Sequence, residues 1–174
     1  MPSAAEPPAD RPGEDADPES VARKILLDQL SVQARSRHEL AERLARRDVP
    51  EEVATRLLDR FEEVGLVDDE AFARSWVDSR QRTRGLGRTA LAVELRRKGI
   101  ADETAKAVLA EVDPGEEEAA ARTLVQRKLR SMRGVEHQVA ARRLVGMLAR
   151  KGYSSGLAYA VVRQELALQD DSDG

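Results

Sequence analysis

The sequence predicts an all-α protein that consists of three tandem three-helix repeats, stacked as an elongated, curved array. Three observations support this fold class. Apolar residues recur at helical spacing, and no segment alternates apolar and polar residues as a strand does. Aromatic residues make up 3% of the 174 residues and charged residues 35%, a composition typical of helix-rich soluble proteins. Finally, the apolar pattern itself repeats along the chain.

The repeat is defined by apolar positions that recur first after 51 residues and then after a further 53. The matching positions are Val21 and Phe72; Ile25, Trp76 and Leu129; Leu40, Leu91 and Leu144; Leu44, Leu95 and Leu148; Val49, Ile100 and Tyr153; and Leu57, Val108 and Val161. In this alignment Val125 also corresponds to Phe72. Because a unit of about 50 residues buries little apolar surface by itself, neighbouring repeats are expected to stack on one another.

The predicted organisation has five parts. They are an acidic N-terminal tail over residues 1–17, repeats over residues 18–66, 67–112 and 113–169, and an acidic C-terminal tail over residues 170–174. The first tail is rich in Pro, Ala, Asp and Glu and lacks helical periodicity, so we expect it to be disordered. The whole chain has a formal charge of −3, whereas residues 21–169 alone carry +5.

Local signals place the first two helices. Asp17 and Pro18 are suited to the N-cap and the first helical position of a helix that reaches about Leu30. Ser36 and Glu39 have the spacing of a capping box at the start of the second helix. The residues of the first helix that we expect to face the core are Val21, Ile25 and Leu26.

Proline and glycine mark later boundaries. The third helix begins at Pro50 and ends at Gly65, since glycine readily adopts the left-handed conformation that follows many helices. Asp113, Pro114 and Glu116 combine a cap, a first-turn proline and capping-box spacing. These three residues predict the helix that opens the third repeat.

Three consecutive acids, Asp68, Asp69 and Glu70, lie at the predicted start of the fourth helix. Metal or hydrolytic chemistry is one interpretation, but successive helical residues point in different directions and no other acidic or histidine run accompanies them. Acids are also favoured at a helix start, where they cap backbone N–H groups and complement the helix dipole. Capping accounts for all three residues.

Several classes of function are disfavoured by what the sequence lacks. The chain has no cysteine, which excludes disulfides, thiolate metal sites and cysteine nucleophiles. No apolar run approaches the roughly 20 residues of a membrane span. His38 and His137 are isolated from any catalytic or ligand motif. We therefore expect a cytoplasmic, non-enzymatic protein without cofactor, metal, small-molecule substrate or membrane association.

The Gly85-Leu86-Gly87 triplet lies inside the most basic segment of the chain. It lacks the GxxxxGK[ST] pattern of a phosphate loop, and it lacks the third glycine and the preceding strand of a dinucleotide fingerprint. A turn between helices explains it better. Gly85 would take the left-handed position after a helix that ends near Arg82, Leu86 would fold back onto apolar residues, and Gly87 or Arg88 would start the next helix.

Residues 79–98 carry seven cationic side chains and one acid, a net charge of +6. Arginine forks bind phosphate or carboxylate groups bidentately. Since few aromatic residues are free to stack on bases, sequence-tolerant contact with phosphates or acidic side chains is expected rather than base recognition. A solvated basic face that binds nothing is the alternative.

Basic pairs also recur in register, as Arg46-Arg47, Arg97-Lys98 and Arg150-Lys151. They could form a periodic contact surface, or they could simply complement the dipole at a helix C-terminus. With the cluster above, they complete the set of candidate binding residues. That set is Arg46, Arg47, Arg80, Arg82, Arg84, Arg88, Arg97, Lys98, Arg150 and Lys151.

Two stretches, GLVDDEAFARSWVDSR (65–80) and RGLGRTALAVELRRKGI (84–100), resemble the RecX family of regulators of the RecA recombinase. The family pattern Asp-Asp-x-x-Phe-Ala is matched from Asp68 to Ala73. A later pattern of Gly, then Glu-Leu, then Lys-Gly-Ile is matched by Gly85 or Gly87, by Glu94-Leu95 and by Lys98-Gly99-Ile100. The resemblance extends through the repeats over residues 20–168, and the acidic N-terminal tail lies outside it.

The resemblance implies three tandem three-helix repeats and a regulatory role without a catalytic motif. It implies a protein that lies along the groove of the RecA–DNA filament and modulates, in most cases inhibits, its ATPase, strand-exchange and coprotease activities. The expected partners are therefore the RecA filament and DNA phosphates. The alternative is a stand-alone DNA-binding protein whose repeats resemble helix-turn-helix units.

Overall fold

The computed structural model describes residues 16–173, which form nine α-helices and no strand. The helices are α1 (Pro18–Val32), α2 (Arg37–Ala45), α3 (Glu51–Glu63), α4 (Asp69–Arg84), α5 (Arg88–Arg97), α6 (Asp102–Ala110), α7 (Pro114–Leu129), α8 (His137–Lys151) and α9 (Ser155–Asp173). The all-α prediction is confirmed. Residues 1–15 of the predicted disordered tail lie outside the described residues. None of the described helices combines the length and the apolar character that a membrane span needs.

The caps predicted for α1 and α2 are present. The Asp17 carboxylate accepts hydrogen bonds from the N–H groups of Glu19 and Ser20. The capping box of α2 is complete, because the N–H of Glu39 donates to Ser36 Oγ at 3.2 Å and the N–H of Ser36 donates to Glu39 Oε2 at 3.1 Å. Local side chains thus satisfy backbone donors that a helix start leaves unpaired.

Later boundaries also follow the predicted signals. The Asp68 carboxylate accepts from the N–H of Ala71 at the start of α4. Asp113 accepts from the N–H of Gly115 at the start of α7. Gly65 takes a left-handed φ of 77° after α3. The helix α9 continues to Asp173, so the acids that the sequence assigned to a C-terminal tail lie on its last turn.

Each group of three helices encloses its own apolar core. The middle and third helices of the three groups contribute the same positions, and these side chains are buried. They are Leu40, Leu91 and Leu144; Leu44, Leu95 and Leu148; and Leu57, Val108 and Val161. This agreement confirms the repeat that the sequence predicts for these helices.

The register predicted for the first helix of each group was partly wrong. Val21 is 38% exposed, and the buried pair of α1 is Ala22 and Leu26. The buried pairs of the other first helices are Ala73 with Val77 in α4, and Ala121 with Val125 in α7. The first helices of the second and third groups are therefore related by 48 residues. The reason is the connection from α7 to α8, which is longer than the one from α4 to α5.

The chain divides into two compact units. The first contains residues 16–34 and 40–67, and the second contains residues 35–39 and 68–173. Within the second unit, the start of α5 meets the end of α8. The N–H of Gly87 donates to the carbonyl oxygen of Lys151 at 2.8 Å, and the N–H of Thr89 donates to the carbonyl oxygen of Gly152 at 3.1 Å. Donors left over at one helix start thus satisfy acceptors left over at another helix end.

Residues 35–39 make a related set of contacts with the end of α5 and the start of α4, also inside the second unit. Ser36 Oγ donates to the carbonyl oxygen of Lys98 at 2.6 Å. The N–H of Arg37 donates to the Asp69 carboxylate at 2.8 Å. Likewise, the N–H of Arg88, 51 residues further on, donates to a carboxylate oxygen of Glu117 at 3.3 Å. In both cases, an acid on the first turn of the following helix group accepts a hydrogen bond from the first residue of a middle helix.

A candidate basic interface in the second unit

The Gly85-Leu86-Gly87 triplet is the turn between α4 and α5, as predicted. Gly85 has a left-handed φ of 60°, Leu86 is buried, and Gly87 is the N-cap of α5. The Tyr153 hydroxyl donates to the carbonyl oxygen of Gly85 at 2.8 Å. Burial, reinforced by the negative charge of Glu117, raises the pKa of the Tyr153 phenol to about 12. The phenol therefore stays protonated well above neutral pH and donates to the turn from the connection between α8 and α9.

Two of the predicted binding residues, Arg80 and Lys98, lie over the ring of Trp76. The Arg80 guanidinium is 4.2 Å and the Lys98 ammonium 4.6 Å from the ring centroid. Trp76 Nε1 donates to the Glu94 carboxylate at 2.8 Å, and the same carboxylate pairs with Arg80 Nε at 3.1 Å. Both cations are thus engaged in cation–π and ionic contacts inside the unit.

Lys98 is held further by Glu39, whose carboxylate accepts from Lys98 Nζ at 2.6 Å. Burial acts to raise the pKa of Glu39, but the hydrogen bonds from Lys98 and from the backbone of Ser36, with the charges of Lys98 and Arg35, outweigh it. The net effect is a pKa below the ordinary value of that carboxyl. Glu39 is therefore the ionised partner of Lys98 at neutral pH.

Arg88 is the third predicted binding residue that has an internal role. Its guanidinium pairs with Glu117 at 3.1 Å and donates to the carbonyl oxygen of Val112 at 2.6 Å. Arg88 thereby joins the start of α5 to the end of its own helix group, just after α6, and to the first turn of α7. Its side chain remains 39% exposed, but its charge is neutralised locally.

Six cations collect around the turn and the end of α8. Two adjoining clefts, of about 320 and 460 Å³, share Arg84 as a lining residue. Their cationic lining residues, which we name the basic surface, are Arg82, Arg84, Arg97, Arg127, Arg150 and Lys151. Glu94 is the one carboxylate in the lining. The basic surface with Glu94 thus has a formal charge of +5.

The members of the basic surface differ in how strongly the protein itself engages them. Arg97, Arg127 and Arg150 make no ion pair with the side chains that the structure describes, those of residues 16–172. Arg82 pairs with Asp78 on its own helix but is 71% exposed, and Arg84 lies 3.6 Å from Glu94. Exposed pairs of this kind are weak. Most of the positive charge is therefore available to a partner.

In each basic pair at the ends of α5 and α8, one residue is bound within the protein and the other lines a cleft. The second member of each pair turns inward, because Lys98 binds Glu39 and Lys151 donates to the carbonyl oxygen of Arg84 at 2.9 Å. The first members, Arg97 and Arg150, are exposed and line one cleft. One cation of each pair is structural, and the other is free for contact.

The remaining candidates, Arg46 and Arg47, belong to the first unit. Arg46 pairs with Glu42 at 3.5 Å across one helical turn, and both arginines are exposed. They follow the end of α2, as the dipole interpretation requires.

Arg127 is the member of the basic surface that the sequence did not single out. It lies on α7, far along the chain from the cluster at residues 79–98, and no motif surrounds it. Arg127 shares a face of α7 with Thr123 and Leu124, which line the same cleft. Only the packing of α7 on the turn brings that face to the other cations.

The chain is similar to known proteins across all three helix groups. Models of the first, second and third three-helix domains of RecX match residues 22–61, 68–109 and 116–162. The regulatory protein RecX of Thermobifida fusca is 51% identical over 158 residues, which cover 89% of this chain and 85% of that protein. The RecX of Streptomyces coelicolor is 52% identical over 150 residues, covering 86% and 80%.

Solved structures give the same picture of the fold. The crystal structure of RecX from Lactobacillus salivarius superposes with a TM-score of 0.82 at 23% identity, and covers 87% of this chain and 97% of that one. A second structure, of a regulatory protein RecX, gives a TM-score of 0.77 at 27% identity, with 85% and 72% covered.

Proposed function

We propose a function from the premise that this chain belongs to the RecX family of regulatory proteins, as three family domains and relatives at about 50% identity show. The proposed function is to bind the RecA–DNA filament and to lower its ATPase, strand-exchange and coprotease activities. The protein acts as a regulator that binds and does not catalyse, in the cytoplasm where such filaments form. Its role is in DNA repair, recombination and the SOS response.

The observation that carries the proposal is the basic surface. It concentrates six cations against Glu94 at one place in the second unit. Two partners present matching charge, namely the phosphates of DNA and the carboxylates of an acidic protein surface. A filament of RecA on DNA offers both kinds of group, and this makes it a better fit than either partner alone.

The chemistry of the lining favours backbone contact over base recognition. Together the two clefts are lined by arginines, threonines, small or aliphatic residues, Lys151, Glu94 and Gln81, with no aromatic side chain among them. Arginine and lysine bind phosphates without regard to sequence, whereas recognition of unpaired bases relies on aromatic stacking. We therefore infer that filament binding by this surface is independent of DNA sequence.

The test uses the full chain, the RecA recombinase of the same organism and single-stranded DNA. A triple variant, Arg97→Glu/Arg127→Glu/Arg150→Glu, reverses the three arginines that have no ionic partner. We expect it to lose inhibition of the filament ATPase and to stop co-sedimenting with filaments. A matched control, Arg130→Glu/Arg133→Glu/Arg143→Glu, makes the same change of charge at exposed positions outside the two clefts. The control should retain both properties.

The same experiment contains the results that contradict the proposal. Equal loss in both triple variants would mean that net charge, and not the basic surface, controls binding. Wild-type protein without any effect on the ATPase or on filament sedimentation would exclude the filament as partner. Tight binding to duplex DNA in the absence of RecA would instead favour the stand-alone DNA-binding protein.

A further inference from the structure

A third cleft lies between α8 and α9, on residues that the proposed filament contact does not use. It has a volume of about 460 Å³. Apolar side chains form its floor, and Tyr159, which is 65% exposed, stands at its edge. The other lining residues are His137, Gln138, Ala141, Arg142, Val145, Val162, Arg163 and Leu166. An apolar floor with a polar rim is the usual design of a peptide-binding groove.

The two arginines on the rim of this cleft lack ionic partners in the described part of the chain. His137 Nδ1 lies 3.5 Å from the Asp170 carboxylate at the end of α9. Arg142 and Arg163 make no ion pair with any side chain of residues 16–172. The nearby Glu165 does not compensate them, because it is buried and pairs with Arg122 at 3.0 Å. Two unpaired arginines over an apolar floor favour an occupant that combines acidic and apolar side chains.

The preceding helix group shows how such a face is covered inside this same protein. The shift of 53 residues places Arg88 of α5 at the position of Ala141 in α8. The Arg88 side chain reaches over to Val112 and Glu117, so the acidic first turn of α7 covers this part of α5. In α8 the corresponding alanine leaves the space open, and no segment among residues 16–173 fills it. The start of an acidic helix is thus the occupant that this type of face already accepts.

We propose that the α8–α9 cleft is a docking site for an acidic helical segment of a partner protein, whose apolar side chains enter between Val145, Tyr159 and Leu166. The carboxylates of the segment bind Arg142 and Arg163. The site is separate from the basic surface, so the two proposals can fail independently.

The probe is a fluorescein-labelled peptide that begins Ser-Pro-Glu-Glu and carries two leucines four residues apart, and its anisotropy is followed on titration with the full chain. Each of Arg142→Glu and Arg163→Glu should weaken its binding about five-fold or more, since a charge-assisted contact becomes repulsive. Tyr159→Ala should weaken it as well, through loss of apolar contact. A peptide with glutamines in place of the glutamates should bind less tightly than the acidic one.

The control is Arg143→Glu, which makes the same change of charge at the next residue of α8 but does not line the cleft. It should leave the affinity for the peptide within about two-fold of wild type, as expected for an exposed charge outside the contact. Equal weakening by Arg143→Glu, or equal affinity for the glutamine peptide, would overturn the proposal. So would tighter binding of a single-stranded oligonucleotide at Arg142 and Arg163, or a dimer in sedimentation equilibrium that Tyr159→Ala dissociates.

Discussion

The N–H of Gly87 donates a hydrogen bond of 2.8 Å to the carbonyl oxygen of Lys151, which joins the N-cap of α5 to the last residue of α8. The two backbones approach so closely that a side chain cannot fit between them. A Cβ atom placed on Gly87 would lie 2.6 Å from the carbonyl carbon and oxygen of Gly152. Glycine is therefore required here by packing, since the φ of Gly87 is −83° and any residue could adopt it.

We expect Gly87→Ala to destabilise the protein by about 1–3 kcal/mol, the usual cost of forcing an extra carbon into a packed site. Urea unfolding followed by circular dichroism measures this change. Gly156→Ala is the control, because nothing lies within 4 Å of a Cβ at that position in α9. There, alanine should be neutral or slightly stabilising. Equal stability of the two variants would show that the α5–α8 contact is looser than described.

The contact between Glu39 and Lys98 predicts a dependence of stability on pH. The folded-state pKa of Glu39 is lowered, so its contribution is present above the pKa of the unfolded chain and is lost as the pH falls through the folded value. At neutral pH, Glu39→Gln should cost about 1.5 kcal/mol, the lower end of what hydrogen bonds to charged groups contribute, because the pair is partly exposed. Wild type and variant should converge in acid.

Unfolding free energies measured between neutral pH and pH 3 or so test this expectation. Glu42→Gln serves as the comparison, because Glu42 pairs with Arg46 at 3.5 Å on an exposed helix face. That substitution should change the stability by no more than about 0.5 kcal/mol. A constant difference between wild type and Glu39→Gln across the whole pH range would contradict the role assigned to the ionised carboxylate.

Two arginines that the sequence treated alike, Arg80 and Arg82, should behave differently when truncated. The Arg80 side chain is 30% exposed, lies over Trp76 and pairs with Glu94, whereas Arg82 is 71% exposed and pairs only with Asp78. Arg80→Ala should cost about 1–2 kcal/mol. Arg82→Ala should stay within about 0.5 kcal/mol.

Chemical denaturation of both variants distinguishes the two roles, and the fluorescence of Trp76 gives a local signal because it is the one tryptophan of the chain. Loss of Arg80 should alter the emission of the folded protein, while loss of Arg82 should leave it unchanged. Equal costs for the two substitutions would mean that the cluster around Trp76 contributes little to stability.

The sequence was sufficient to predict most of the fold because the middle helices carry large apolar residues at fixed distances from their turns. Leu91 and Leu95 fill the same positions as Leu144 and Leu148, and all four are buried. The first helices were harder to place. Their innermost residues include Ala22, Ala73 and Ala121. Because alanine is small, it does not stand out in a repeat that is defined by large apolar side chains.

The candidate site was less predictable, since the partners that neutralise a cation come from distant parts of the chain. Lys98 is neutralised by Glu39 and Arg88 by Glu117, and neither pairing leaves a local signal. Arg127 was missed because tertiary packing, and not its sequence neighbours, places it in the basic surface. Packing of α7 on the α4–α5 turn brings it to Arg84 and Lys151, and no sequence motif records that contact.

The salt dependence of filament binding should reveal which groups the basic surface contacts. If Arg97, Arg127 and Arg150 bind phosphates, each displaces condensed counterions, and the logarithm of the affinity falls linearly with the logarithm of the salt concentration. Replacing any one of them by alanine should then reduce the slope by about 1. Arg80→Ala should leave the slope unchanged, because Arg80 is engaged by Glu94 and Trp76. Filament co-sedimentation between about 50 and 200 mM salt covers the range in which this dependence is steep. A shallow slope that no arginine variant alters would assign the surface to carboxylates of the recombinase, since release of condensed counterions is a property of the nucleic acid.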